Sequence, residues 1–220
     1  MTDRPRAVLF DIDGTLVDSN YLHVEAWQHA LLDLDAGADA WRIHRAIGQD
    51  SALLLSSLAG ERDDEWNERA KALHAQYYAD LSPRLRPLPG ARDLLRAVAE
   101  RELRVVLATS APEEEFAMLR RALDADRWIH AHTSADDVDA AKPDPAILDV
   151  ALERAGVDAA DAVFVGDSTW DMIAAGRAGV RAYGVRSGGV SDFELGAAGA
   201  LAVYDDPAEL LERLVEVIGG

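Results

Sequence analysis

Asp11 and Asp13 stand two residues apart directly after the apolar run Ala7-Val8-Leu9-Phe10, with Gly14 behind them. In an extended chain both carboxylates face the same side, and the glycine lets the backbone turn sharply beneath them. Paired carboxylates in different environments divide their work, one as nucleophile and the other as proton shuttle. Thr109 and Ser110 follow a second apolar run, Val105 to Ala108. Gly166-Asp167-Ser168 follows a third, Ala162 to Val165, with Asp171 four residues beyond Asp167. Lys142, in Lys142-Pro143-Asp144-Pro145, adds a cation. Carboxylates gathered at one point repel by on the order of 4 kcal/mol per pair at ~4 Å and an effective dielectric of ~20. A hard divalent cation removes that cost, and an all-oxygen donor set suits Mg²⁺, which keeps waters and a substrate phosphate oxygen in its shell. The lysine and the two hydroxyls then complete a cradle for a phosphoryl group, whose transfer depends on positioning and charge stabilisation.

These residues need a scaffold that brings strand ends together. The apolar runs are unbroken rather than alternating, and Ala182 to Val185 and Ala200 to Val203 read the same way, as strands covered on both faces of a parallel sheet do. Helical stripes lie between the later runs: Leu94, Leu95 and Val98; Phe116, Leu119 and Leu123; Ile147, Leu148, Ala151 and Leu152; Leu210, Leu211, Leu214 and Val215. The alternation predicts an α/β fold with a doubly wound, Rossmann-like parallel sheet, in which ligands bind beyond the carboxyl ends of the strands. Roughly seventy residues between Asp18 and Pro87 far exceed a βα connection. Their stripes, Val24, Trp27, Leu31 and Leu34, then Trp66, Ala70, Leu73, Tyr77 and Leu81, predict an inserted helical domain. The expected division is residues 1–17 and 88–220 for the α/β core and 18–87 for the insertion.

The balance of 22 Lys+Arg against 40 Asp+Glu, a net charge of −18, speaks against nucleic acid or an anionic membrane as partner. No run approaches the ~20 apolar residues of a membrane span, and Met1-Thr2-Asp3-Arg4-Pro5-Arg6 is not followed by a signal-peptide apolar region, so the cytoplasm is the expected location. The chain has no cysteine, which removes thiolate ligands, disulfides and cysteine nucleophiles together. Length alone allows one domain or two, and monomer and homodimer both remain open.

Taken in order, Asp11-Ile12-Asp13-Gly14-Thr15-Leu16-Val17-Asp18-Ser19, Thr109, Lys142 and Gly166-Asp167-Ser168-Thr169-Trp170-Asp171 resemble the four motifs of the haloacid dehalogenase superfamily phosphatases. The likeness runs from about Val8 to Tyr183, and the insertion is similar to that family's helical cap. The resemblance implies that Asp11 is the nucleophile forming an aspartyl-phosphate and that Asp13 is the general acid and base. It implies that Thr109, Ser110 and Lys142 hold the phosphoryl group. Mg²⁺ would be held by the Asp11 carboxylate, the Asp13 backbone carbonyl and Asp167, with Asp171 supporting. An acid at Asp13 favours phosphoryl transfer over dehalogenation. Within the superfamily the chain looks like the phosphoglycolate phosphatase and β-phosphoglucomutase subgroup, and Asp18 to Trp27 is similar to the mutase opening, with His23 at matching spacing. Ile47-Gly48-Gln49 resembles the cap loop that meets substrate, with Gln49 where the mutase has arginine. The expected function is therefore a Mg²⁺-dependent phosphatase of a small phosphorylated metabolite. A sugar-phosphate mutase is the alternative, and a non-catalytic binding protein of the same fold the third reading.

Other residues have plainer readings. Trp27, Trp41 and Trp66 read as core of the insertion, and Lys71 and His74 are assigned no role, surface of the insertion being an equal reading. Asp136, Asp137 and Asp139 read as a solvated acidic run. Ser187-Gly188-Gly189 reads as a loop without a catalytic partner.

Overall fold

The computed structural model describes residues 4–138 and 142–219; Asp139 lies outside them. The chain divides into two compact units, Met1–Asp18 with Arg86–Gly220, and Ser19–Leu85.

Among its described residues the first unit carries six strands: β1 (Ala7–Phe10), β2 (Arg104–Leu107), β3 (Ala131–His132), β4 (Ala162–Gly166), β5 (Arg181–Val185) and β6 (Val203–Tyr204). They form one parallel sheet in the order β3-β2-β1-β4-β5-β6. β1 is central, and all four of its residues are buried, the reason its sequence is apolar without alternation. Phe10 is level with Leu107 on one side and Val165 on the other. The residues that follow β1, β2 and β4 therefore leave the sheet at one edge.

Helices cover both faces, as a parallel sheet requires. α5 (Ala91–Ala99) buries Leu94, Leu95 and Val98, and α6 (Glu113–Leu123) buries Phe116, Leu119 and Leu123. α7 (Ala146–Ala155) buries Ile147, Leu148, Ala151 and Leu152, and α8 (Thr169–Ala178) buries Met172, Ala174 and Ala175. These last two join Leu9, Val106 and Phe164 in one apolar cluster. α9 (Asp192–Ala198), α10 (Pro207–Glu212) and α11 (Leu214–Ile218) complete the unit. The C-terminal stripe is two short helices rather than one. Their joint at Arg213 rotates the buried set to Leu210, Leu214, Val217 and Ile218 and leaves Val215 exposed. The last strand starts three residues later than the apolar run suggests, because Ala200 N–H closes the turn after α9 onto the Leu195 carbonyl. β3 has no counterpart in the sequence pattern, being a two-residue, half-buried edge strand.

The second unit is helical throughout: α1 (Asn20–Asp33), α2 (Ala40–Ala46), α3 (Ser51–Ala59) and α4 (Asp64–Leu81). Asp50 caps α3 by accepting from Ala52 N–H at 2.8 Å, and Asp63 caps α4 by accepting from Trp66 N–H at 2.8 Å. Val24, Trp27, Leu31, Ile43, Leu54, Leu55, Ala70 and Leu73 form its core, with Trp66 partly buried against it. Trp41 is not core; it is 67% exposed. His74 is not surface, since it is buried with its ring 4.1 Å from that of Trp27. Among the described residues no helix is long and apolar enough to cross a membrane.

Candidate active site

Asp11 is the first residue past β1, and its N–H still donates to the Val165 carbonyl of β4 at 2.9 Å, so the main chain is held before the side chain begins. The chain then turns tightly. The N–H groups of Thr15, Leu16 and Val17 all point to the Ile12 carbonyl, and Gly14 takes φ +70, the conformation glycine adopts without strain. This turn throws Thr15 back toward the sheet edge, where its buried hydroxyl donates to Asp167 Oδ1 at 2.8 Å.

Asp167 leaves β4 and Asp171 sits in the first turn of α8. Ser168 caps that helix in a reciprocal box: its hydroxyl receives the Asp171 N–H at 3.2 Å, while Asp171 Oδ2 accepts from the Ser168 N–H at 3.0 Å and hydroxyl at 2.7 Å. The cap that starts the helix thereby fixes the direction of the carboxylate. Lys142 closes the group, with Nζ 2.6 Å from Asp11 Oδ1 and 2.8 Å from Asp171 Oδ1. The carboxylates of Asp11, Asp167 and Asp171 bring oxygens within 4.8 Å of one another, and all three residues are buried.

Three carboxylates against one ammonium leave two negative charges in a buried place, which is the charge a divalent cation supplies. Burial and crowding act on both members of the Asp11–Lys142 pair. Burial pushes the Asp11 carboxyl up to about 7, Asp171 and Asp13 add to the rise, and Lys142 opposes it. Burial works against the Lys142 charge, but Asp11 and Asp171 outweigh it and hold its proton more firmly than in a free lysine. An all-oxygen donor set of clustered carboxylates fits a hard cation such as Mg²⁺.

Thr109 follows β2 at the same edge and is buried. Its Oγ1 accepts from Ala111 N–H at 3.0 Å, and its carbonyl accepts from the Thr133 hydroxyl at 2.9 Å. Ser110 and Asp13 are half-buried there. The sequence-derived set Asp11, Lys142, Asp167 and Asp171 is thus drawn together within ion-pair or ligand distance, and Asp13, Thr109 and Ser110 stand at the same sheet edge. His23, Gly48 and Gln49 belong to the second unit. His23 is buried with its ring 4.0 Å from Tyr78 and its Nδ1 3.1 Å from His74 Nε2. Gly48 is exposed at φ +89 and Gln49 half-buried in the turn after α2.

Two expectations need correction. Asp137 is not a freely solvated acid: it caps a short turn with Ser134 and pairs with Arg154, and although burial opposes it, the Ser134 and Arg154 contacts hold its carboxyl below the usual range. The loop after β5 does have partners at the site, for Ser187 Oγ donates to the Gly14 carbonyl at 2.7 Å and the main chain of Gly188 lies against Asp167. Ser187, Gly188 and the role of Thr15 were missed by sequence reasoning. The signal was the rule already applied to β1, β2 and β4, that chemistry follows a strand end, which applies equally to β5.

Comparison with known proteins agrees with this geometry. A phosphoglycolate phosphatase of Rhodospirillum rubrum is 36% identical over 218 residues, covering 94% of this chain and 89% of the relative. A phosphorylated carbohydrates phosphatase of Thermotoga maritima is 32% identical, covering 96% and 99%. The crystal structure of a hydrolase from Pseudomonas syringae superposes with a TM-score of 0.93 at 39% identity, covering 97% of this chain and 99% of that one. The haloacid dehalogenase-like hydrolase pattern matches residues 8–185, a span that holds every residue of the carboxylate and lysine cluster, and the chain belongs to that family.

Proposed function

We propose that this protein is a Mg²⁺-dependent phosphatase of small phosphorylated metabolites, acting through an aspartyl-phosphate on Asp11. The observation that carries the reading is the Asp11 carboxylate held 2.6 Å from Lys142 within a buried group of three aspartates. The phosphatase relatives support the same reaction class. Asp11, Asp167 and Asp171 are the residues that would hold Mg²⁺, with the Asp13 carbonyl as the family's further ligand. Bound there, the ion supplies positive charge to the phosphoryl oxygens and keeps Asp11 ionised.

An Asp11 oxygen attacks phosphorus, forming the acyl-phosphate bond as the P–O bond to the alcohol breaks. Asp13 gives its proton to the departing oxygen. It then takes a proton from water as that water attacks the phosphorus of the acyl-phosphate, which restores Asp11 and releases inorganic phosphate. Lys142, Thr109 and Ser110 hold the phosphoryl oxygens, and Lys142 also orients Asp11. The insertion 18–87 is the cap of this enzyme in the same proposal, with substrate selection among its tasks.

Phosphate release is to be measured over phosphorylated hydroxy acids and sugar phosphates with and without Mg²⁺. The reading requires Mg²⁺-dependent release by the native chain and none by the Asp11→Asn variant. Phosphate retained on a rearranged sugar would instead identify a mutase, and no turnover of any phosphoester would overturn catalysis altogether.

A further inference from the structure

The loop leaving β5 touches the carboxylate cluster at one point. A Cβ built on Gly188 would lie 1.6 Å from Asp167 Oδ2, 2.4 Å from its Cγ and 2.7 Å from its Cβ. Real Cβ contacts essentially never fall below 3.0 Å. Gly188 is buried and does not have a left-handed backbone, unlike Gly189 at φ +91. Glycine at 188 is therefore demanded by the carboxylate in front of it and not by the turn it sits in. The other oxygen of Asp167 is held by the Thr15 hydroxyl at 2.8 Å, so the carboxylate is gripped from two sides. Ser187 ties the loop to the turn behind Asp13 through its 2.7 Å bond to the Gly14 carbonyl.

We propose that Ser187 and Gly188 form a positioning element for Asp167: Gly188 sets where the carboxylate stops, and Ser187 sets where Gly188 stops. The inference rests on the metal-dependent reading of the same site. A ligating carboxylate displaced by about 1 Å no longer shares its ion with its neighbours in the required geometry. Any side chain at 188 must push that carboxylate from its place, because the built Cβ falls far inside contact distance of Asp167, which is 2% exposed.

The test is calorimetric titration of the full chain with Mg²⁺ alone, in the native protein and in Gly188→Ala and Ser187→Ala, followed by phosphate release against Mg²⁺ concentration. Gly188→Ala is expected to weaken Mg²⁺ binding by about ten- to a hundredfold. Its kcat should recover as Mg²⁺ is raised, while KM for the phosphoester changes little. Ser187→Ala is expected to weaken Mg²⁺ binding severalfold with the fold retained, and it decides the matter if Gly188→Ala does not fold. Native-like Mg²⁺ affinity in the folded variants would overturn the inference alone, as would a kcat loss that saturating Mg²⁺ does not restore. A native chain that binds no Mg²⁺ would overturn the metal-dependent reading and this inference with it.

Discussion

The ammonium of Lys142 lies 2.8 Å from Asp171 Oδ1, while the other oxygen of Asp171 caps the helix that carries it. One aspartate is thus both a local folding signal for α8 and a counter-charge for a lysine from a distant loop. Its partner Asp11 receives the same ammonium at 2.6 Å. Removing the lysine strands buried carboxylates, and breaking a buried pair in this way costs about 3–5 kcal/mol. Lys142→Met is expected to lower the melting temperature strongly in EDTA. Mg²⁺ should raise the melting temperature of the variant by more than that of the native chain, because the ion replaces the missing charge. Equal Mg²⁺ shifts in the two proteins would argue against a shared charge role.

With Asp11 as a Mg²⁺ ligand, as proposed above, its raised carboxyl would make binding a proton-releasing step. Below its value of about 7 the group holds a proton in the metal-free protein, and the ion requires the carboxylate, so binding expels that proton. Mg²⁺ affinity should rise with pH up to about 7 and flatten above it. Calorimetric titrations at pH 6 in buffers of different ionisation enthalpy should reveal the released proton, and the same comparison at pH 8.5 should reveal almost none. Identical heats in all buffers at pH 6 would show that Asp11 is already ionised.

His74 gives the second unit an acid sensitivity. Burial, with the neighbouring His23, holds the His74 imidazole well below the ordinary value of 6.5. Above 6.5 the ring is neutral whether the chain is folded or not, and its contribution to stability is complete. As pH falls below 6.5 the unfolded chain binds a proton that the folded chain refuses, so stability declines by up to about 1.4 kcal/mol per pH unit. His74→Phe keeps the stack on Trp27 without the titration. Urea midpoints at pH 7.5 and pH 5.5 should show the native chain losing more stability than the variant, and parallel losses would contradict the assignment.

Gly176 lies inside α8 with nothing within 4 Å of where its Cβ would stand. Gly176→Ala should therefore stabilise the protein by about 1 kcal/mol through helix propensity alone, with phosphate release unchanged. A lower melting temperature would mean that the space is needed for a motion of the helix.

The scaffold was legible wherever burial was complete. β1, β2, β4 and β5 sit between two helical layers, so their apolar runs carry no competing signal, and Asp11, Thr109 and Asp167 follow three of them. β3 escaped notice because two half-buried residues carry no period. β6 was misplaced because Ala200 to Ala202 are apolar without being sheet. Trp41 was read as core yet is exposed, and buried His74 was left without a role, for a common reason. Residue type sets an average preference for inside or outside, whereas the stripe position on α2 and α4 decides the particular case. The strand-end rule could have pointed to the loop after β5, but not to the particular contacts with Asp167, since that of Thr15 joins segments 152 residues apart and that of Gly188 depends on the absence of a side chain.

Asp11 and Lys142 are separated by 131 residues, and that interval has a meaning during biosynthesis. A nascent chain carries Asp11 from the first moments of translation but lacks the cation that pairs with it until well over half of the polypeptide exists, and lacks Gly188 for longer still. The central strand cannot pair on its β4 side before that stage either. The Asp11–Lys142 pair and the pairing of β1 with β4 therefore both wait on contacts distant in sequence, which form slowly. Enzyme activity regained during refolding will report that β1 has paired with β4, and a polypeptide stalled before β4 will be chemically silent.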